Sequence, residues 1–291
     1  MYSFSSPFVS IHMVTQNNMD RLPDVLQAIF CQSYTHFSVR IIDNGSSDGI
    51  EPFLRAHYPQ ITFFRHPRNL GFAVAHNRGI RYILEKTSQD EWQDTFVLFL
   101  SPQIILTPTF LEEIINVARK DKTIGAFGGK ILRAYGENEG DEVLRNMVCS
   151  DYLESAGFIK DQRGAWRLRG KNKMDEGLYD QNETVFGFEE SLLLCRLQSI
   201  AEIKEKENYF DPLLSYGVLG IDLCWRFEKK GWSCFYVALA KAYYYCGRFR
   251  KEQTSSAPVG SWKLLFKHLS FWSFLHLCFF RFSWVLRLRA K

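Results

Sequence analysis

The chain has 291 residues, 46% hydrophobic and 23% charged, with a formal net charge of +4. That apolar content buries enough surface to offset chain entropy, which excludes disorder, and 19 Gly and 9 Pro exclude collagen-like and low-complexity chains. Residues 262–291 hold six Lys or Arg and no acid, whereas residues 1–261 hold 30 basic against 32 acidic groups, so the body lacks the basic excess of a nucleic-acid partner.

Phe8–Val14 reads as a strand, not as the basic-then-apolar start of a signal peptide. It ends at Thr15-Gln16-Asn17-Asn18. Leu22, Val25, Leu26 and Ile29 have the spacing of an amphipathic helix. Val39–Ile42 is a second strand, stopped by the loop Asp43–Gly49. Ile50–His57 reads as a helix, Ile61–Phe64 as a strand, Ala73–Leu84 as a helix and Thr95–Leu100 as a strand of buried type. This alternation predicts an α/β fold with a mostly parallel, doubly wound sheet flanked by helices. Ligands of such sheets bind at the carboxyl ends of strands, where the loops at 15–18, 43–49 and 100–103 lie.

Residues 133–185 are polar and without a sustained period, the pattern of a functional or mobile segment. Ser191–Leu197 then reads as a strand and Tyr209–Pro212 as a turn. Asp222–Lys230 reads as a helix with Asp222 as N-cap and Gly231 as its stop. Trp232–Leu239 is a strand, and Gln253–Gly260 has linker composition. The expected organisation is a body at 1–250, a linker at 251–261 and a tail at 262–291. Seven Cys form no C-x-x-C pair and no zinc spacing, so buried free thiols in a reducing cytosol are expected.

Two loops carry candidate chemistry. In Asp43–Gly49 a carboxylate at a strand end can accept hydrogen bonds from a base or ribose, or the loop is a turn plus a helix cap. In Asn69–Phe72 and Asn77-Arg78-Gly79, amides and an Arg sit at the start of a helix, where anionic groups such as diphosphates are favoured. The plainer alternative is capping by Asn69 and a solvated Arg78.

The ordered set of loops resembles the inverting glycosyltransferases of family 2, with the nucleotide-sugar-binding fold known as GT-A. It runs from Val14-Thr15-Gln16-Asn17 through Gln32-Ser33-Tyr34, Asp43–Asp48, Asn69–Ala73 and Asn77-Arg78-Gly79. Phe210-Asp211, Asp222–Arg226 and Gly231-Trp232 continue it. Gly157-Phe158, Asp175–Asp180 and Val185-Phe186-Gly187 are similar to the rhamnosyltransferase-like branch. The resemblance implies a nucleoside-diphosphate sugar as donor, direct displacement at its anomeric carbon and a carboxylate base. It implies Thr15, Asn17 and Asp43 at the nucleoside, Asn69, Asn77 and Arg78 near the donor, and Mg²⁺ or Mn²⁺ on the diphosphate.

Three departures fall on that machinery. The metal-binding stretch of the family ends in Asp, whereas here it reads Ser101-Pro102-Gln103, and divalent Mg²⁺ and Mn²⁺ prefer charged oxygens. The Glu-Asp pair of the family's base region is Leu219-Gly220, with Asp222 remaining as base or cap. Many relatives carry a His near Tyr244, within Ala242-Tyr243-Tyr244-Tyr245. Glu189 and Glu190 are candidate substitute bases, or form a solvated acidic turn. Arg78, Arg248 and Arg250 are candidate cations for the leaving group.

The tail from Trp262 to Leu288 has six Phe and three Trp, and its uncharged run Leu269–Phe280 has 12 residues, short of the roughly 20 that span a bilayer. Lys263, Lys267, Ser270 and Arg281 fall on one side of a helix, which predicts an interfacial helix at the inner face of the cell membrane. Docking on the body's own apolar surface, or a dimer contact, is the alternative. The sequence therefore leads to a cytoplasmic, peripherally membrane-bound glycosyltransferase acting on a cell-surface polysaccharide or lipid-linked acceptor. The alternative is a catalytically inactive homologue acting as a binding or scaffold subunit.

Overall fold

The computed structural model describes residues 6–136, 147–160, 166–248 and Lys267. Strands β1 (Phe8–Thr15), β2 (Phe37–Asp43), β3 (Thr62–Arg65) and β4 (Thr95–Leu100) pair in parallel in the order β3-β2-β1-β4. Helices α1 (Leu22–Phe30), α2 (Ile50–His57) and α3 (Phe72–Lys86) connect them. In α1, Pro23 sits in the first turn, where its missing N–H is no loss, and Leu22, Val25, Leu26 and Ile29 are buried as the spacing predicts.

β4 shows why the fold is doubly wound. All six of its residues are buried, but they divide between two cores. Phe96, Leu98 and Leu100 pack with α1, α2 and α4 (Phe110–Ala118). Val97 and Phe99 pack with α3, α5 (Leu197–Glu202) and α6 (Leu219–Lys229). The alternation of a strand sends each side chain to one of two helical layers.

The second half of the sheet is mixed. After β5 (Ile104–Leu106), β6 (Ile124–Gly136) pairs in parallel with the final strand β12 (Ser233–Arg248). β7 (Met147–Ser155) adds antiparallel to β6, and β8 (Phe158–Lys160) and β9 (Trp166–Leu168) form a separate ribbon. β10 (Glu183–Val185) and β5 pair with β12, and β11 (Leu192–Arg196) lies antiparallel between β4 and β6. The polar stretch 133–185 is thus partly strand. Ion pairs hold it: buried Lys130 Nζ lies 2.7 Å from Asp175 and also pairs with Asp180. Arg133 and Lys171 both pair with Glu154.

The thiols divide: Cys195, Cys224 and Cys234 are buried, whereas Cys31 and Cys149 are exposed. The linker and tail lie outside the described residues, except for Lys267. Its ammonium, expected among lipid headgroups, is held by Glu205 at 2.8 Å, Asp222 at 2.9 Å and Asp211 at 3.0 Å. Arg250 also lies outside the described residues, as does the side chain of Arg248. Among the described residues no helix is long and apolar enough to cross a membrane.

Candidate active site

The carboxyl ends of β1, β2 and β3 form the first part of the site. Asp43 is fully buried; it accepts N–H of Ser46 at 3.1 Å, binds the Ser46 hydroxyl, and lies 3.6 Å from Arg65. Asn17 adopts a left-handed φ of 52°, donates its N–H to Ser46 Oγ at 2.9 Å and accepts from Ser47 N–H at 2.9 Å. Asn69 closes the rim by donating to Gln16 Oε1 at 2.6 Å. Buried polar atoms without a partner collect here: Thr15 Oγ1, Asn44 Oδ1, Asp48 Oδ1 and His66 Nε2. Unsatisfied buried groups are rare in folded proteins, and their clustering marks a place prepared for a polar ligand.

Two implied donor residues are placed otherwise. Asn77 is buried and spends its amide on the chain at 208–210, donating to Phe210 O at 2.8 Å and accepting from Phe210 N–H at 2.8 Å. It anchors a loop and has no group left for a donor. Arg78 is exposed and lies over the Phe64 ring at 4.8 Å.

The second part lies beyond β4. Ser101 is buried, and its backbone N–H bonds Ser191 O at 2.8 Å. Gln103 Oε1 accepts the phenolic hydrogen of Tyr244 at 2.8 Å, and Tyr245 N–H bonds Gln103 O at 2.9 Å. Burial, then the neighbouring Cys246, Glu154 and Glu189, push the Tyr244 pKa up to about 12, so the phenol keeps its proton. Arg21 opposes that shift; its guanidinium stands 5.1 Å over the Tyr245 ring, and its Nε lies 3.1 Å from Asp20 Oδ2.

The third part is carboxylate chemistry on the turn before β11. Glu190 is not the solvated group of the plainer reading: it is 1% exposed. Its carboxylate accepts N–H of Gly217 and, at 3.0 Å, of Gly220. Glu190 thereby caps α6 from 30 residues upstream. Asp222, expected as that cap, lies inside the helix and fully buried, because α6 begins at Leu219. It is instead ion-paired, with Oδ2 2.7 Å from Arg226 Nη2 and Oδ1 2.9 Å from Lys267. Its charge is spent on structure.

Glu189 is different. Burial, then the negative charge of Glu154, raise its pKa to about 8, with Lys171 opposing and Glu190 adding to the rise. Its backbone lies against Gly220, where a Cβ would come 3.0 Å from Glu189 C and 2.7 Å from Glu190 N. The acidic turn therefore occupies the space of the missing side chain at 220. Tyr216, 56% exposed as a residue, completes the group; desolvation, then Glu190 and Glu189, raise its pKa, and a hydrogen bond with Ser101 opposes the rise. The sequence reading missed Tyr216, since an aromatic in a loop carries no local signal of chemistry.

A profile of the family described as Glycosyl transferase family 2 matches residues 10–193. The chain belongs to glycosyl transferase family 2. It is 24% identical over 206 residues to the N-acetylglucosaminyl-diphospho-decaprenol L-rhamnosyltransferase of Mycobacterium tuberculosis, a match covering 70% of this chain and 65% of that one. The chain thus spans under two thirds of that relative. It is 30% identical over 96 residues to the putative teichuronic acid biosynthesis glycosyltransferase TuaG of Bacillus subtilis, covering 30% of this chain and 38% of TuaG. Its fold matches GalNAc-T7, solved with UDP, GalNAc and Mn²⁺, with a TM-score of 0.63 and 13% identity over 88% of this chain and 46% of that one. The S. aureus TarS fold matches with a TM-score of 0.52 and 12% identity, covering 82% of this chain and 36% of TarS. The GT-A fold is thereby shown.

The divalent ion implied by the family does not fit these residues. A neutral amide oxygen and a protonated phenol stand at the positions where the resemblance implies the ligands, and they are bonded to each other. Among the described residues no three of His, Cys, Asp or Glu cluster to hold a metal. A hard divalent cation prefers carboxylate and water oxygens to such a pair.

Proposed function

We propose that this family 2 glycosyltransferase transfers a sugar from a nucleoside diphosphate to a glycan or lipid-linked hydroxyl, with inversion and with Glu189 as base. The observation that carries this reading is the Glu189 carboxylate, with its pKa raised to about 8, beside Tyr216 and Tyr244 at the carboxyl edge of the sheet. A general base works best when its pKa lies near the working pH. The acceptor oxygen forms a bond to the anomeric carbon and passes its proton to Glu189. The bond from that carbon to the phosphate oxygen breaks, and the nucleoside diphosphate leaves with the electron pair. Thr15, Asn17 and Asp43 form the nucleoside side of the pocket, and Asn69 its rim.

The leaving charge is met by side-chain cations, of which Arg21 stands beside Tyr244 and Tyr245. Preorganised positive charge at a departing diphosphate is a large catalytic effect whatever its source. The rhamnosyltransferase relative suggests a nucleoside-diphosphate rhamnose and a polyprenyl-diphosphate-linked sugar as first substrates. Transfer by the purified chain is measured with that pair, and with other donors, in EDTA and in Mn²⁺. Turnover in EDTA supports the reading. Turnover only with Mn²⁺ defeats the metal-free part, and no turnover with any donor favours the inactive binding subunit.

A further inference from the structure

At the opposite end of the sheet a second cavity opens, of about 480 Å³. Phe8, Ser38 and Thr95, at the amino ends of β1, β2 and β4, line it together with Arg40, Tyr82 and Lys86. Thr15, Asp43 and Ser101 all lie at or beyond the carboxyl ends of the same strands, so the two sites are separated by the length of the sheet.

The anomaly is Arg40. It is 4% exposed, and no carboxylate among the described residues pairs with it. Nη1 donates to Ser10 Oγ at 2.7 Å and to His12 Nε2 at 2.6 Å, both neutral acceptors. His12 stays uncharged because burial, then the charge of Arg40, hold its pKa well below the ordinary value. The Arg40 guanidinium lies 4.6 Å over the Tyr82 ring, and its Nε has no hydrogen-bond partner. Folded proteins pair buried charges or coordinate them, because an isolated one is strongly disfavoured. Cation–π contact offsets only part of that cost.

Lys86 adds a second cation on the exposed rim, and the hydroxyls of Ser38, Thr87 and Thr95 supply neutral donors. Glu91 also lines the cavity, but its carboxylate is engaged in the cap of its own short helix, accepting Ser88 Oγ–H at 2.7 Å. We propose that this cavity binds a small oxyanion, a phosphate or carboxylate group, with Arg40 as its buried counter-charge and Lys86 on its rim. The site is independent of sugar transfer and stands whether or not the chain turns over a donor.

The test is thermal unfolding of the full chain with inorganic phosphate and, separately, with acetate at equal ionic strength. At about ten times the Kd, the favoured anion raises Tm by ~3 °C. Phosphate alone acting identifies a phosphate site, and acetate acting equally identifies a carboxylate site. Arg40→Met abolishes the rise, Lys86→Met weakens binding about 10-fold by calorimetry, and Thr15→Val on the donor side leaves it unchanged. Should Arg40→Met not fold, Lys86→Met decides, since Lys86 is exposed. No Tm rise with either anion, or a Tm rise and a Kd both unchanged in Lys86→Met, overturns the proposal.

Discussion

Tyr244 donates its phenolic hydrogen to Gln103 Oε1, 2.8 Å away, where relatives of this chain are expected to carry a His and an Asp. The two departures from the family pattern are therefore one structural feature. Losing an acid while keeping the His would leave an imidazole without its partner. Changing both produces a neutral pair that satisfies itself. Tyr245 N–H, bonded to Gln103 O, fixes the same loop from the backbone.

This pairing predicts how the site responds to metal. Transfer by the native chain is expected to change by less than about twofold between EDTA and Mn²⁺, since no ligand pair competes for the ion. The double change Gln103→Asp with Tyr244→His is expected to create Mn²⁺ binding. Electron paramagnetic resonance of added Mn²⁺ reads this directly, without relying on turnover. Failure of the double variant to take up Mn²⁺, while folded, counts against the placement of these residues at the ion's position.

Glu189 predicts a pH profile. A base must be ionised, so kcat/KM is expected to rise with pH along a limb near 8, where Glu189 loses its proton. Glu189→Gln removes that limb and lowers kcat by about 10²- to 10⁴-fold. Lys171→Met removes a charge that favours the ionised form, so the limb moves to higher pH. Stability runs the other way. The folded pKa lies above the ordinary 4.5, so the folded state holds the proton more tightly. Its contribution is complete below about 4.5 and is lost as pH rises through about 8. Urea unfolding at pH 9 is therefore expected to show Glu189→Gln gaining on the native chain.

The Asp222 ion pair predicts a stability effect where a base would give a kinetic one. Replacing it with Asn leaves the buried Arg226 without its charge partner, at a cost of about 3–5 kcal/mol. Chemical denaturation reads this loss. Wild-type stability with greatly reduced kcat would instead return Asp222 to the chemistry.

The contrast between Asp222 and Glu190 also shows where sequence reasoning ran out. The elements from Phe8 to Leu100 were legible because each apolar run is bracketed by Asn, Asp and Gly turns. The carboxylates of Glu189 and Glu190 were visible as candidates, but nothing local says that Glu190 is buried and Glu189 half-buried. Burial comes from α6 packing against them, through a glycine 30 residues later in sequence. The cap of α6 was misassigned for the same reason, since a local Asp looks sufficient until a distant Glu takes the N–H groups. β7 was invisible because polar contacts such as the ion pair of Arg133 with Glu154 hold it, and these carry no hydrophobic period; β8 and β9 are only three residues each. Arg40 was read only as part of a strand, because a lone cation among apolar residues does not reveal whether it has a partner.

Gly220 joins the two halves of the argument. It is the second residue of α6, where Ala is ordinarily better than Gly by up to about 1 kcal/mol. Here a Cβ would overlap the carbonyl oxygen of Phe188 and lie 2.7 Å from Glu190 N. Both contacts are backbone, which cannot rotate away. Gly220→Ala is therefore expected to destabilise the chain by about 1–3 kcal/mol and to displace the turn that carries Glu189. Gly217→Ala is the control. Its left-handed φ of 92° strains any side chain, but nothing lies within 4 Å of the new methyl. Both substitutions are expected to lower stability in urea. Only Gly220→Ala is expected also to move the limb near pH 8, because it alone shifts the peptide that sets the surroundings of the Glu189 carboxylate.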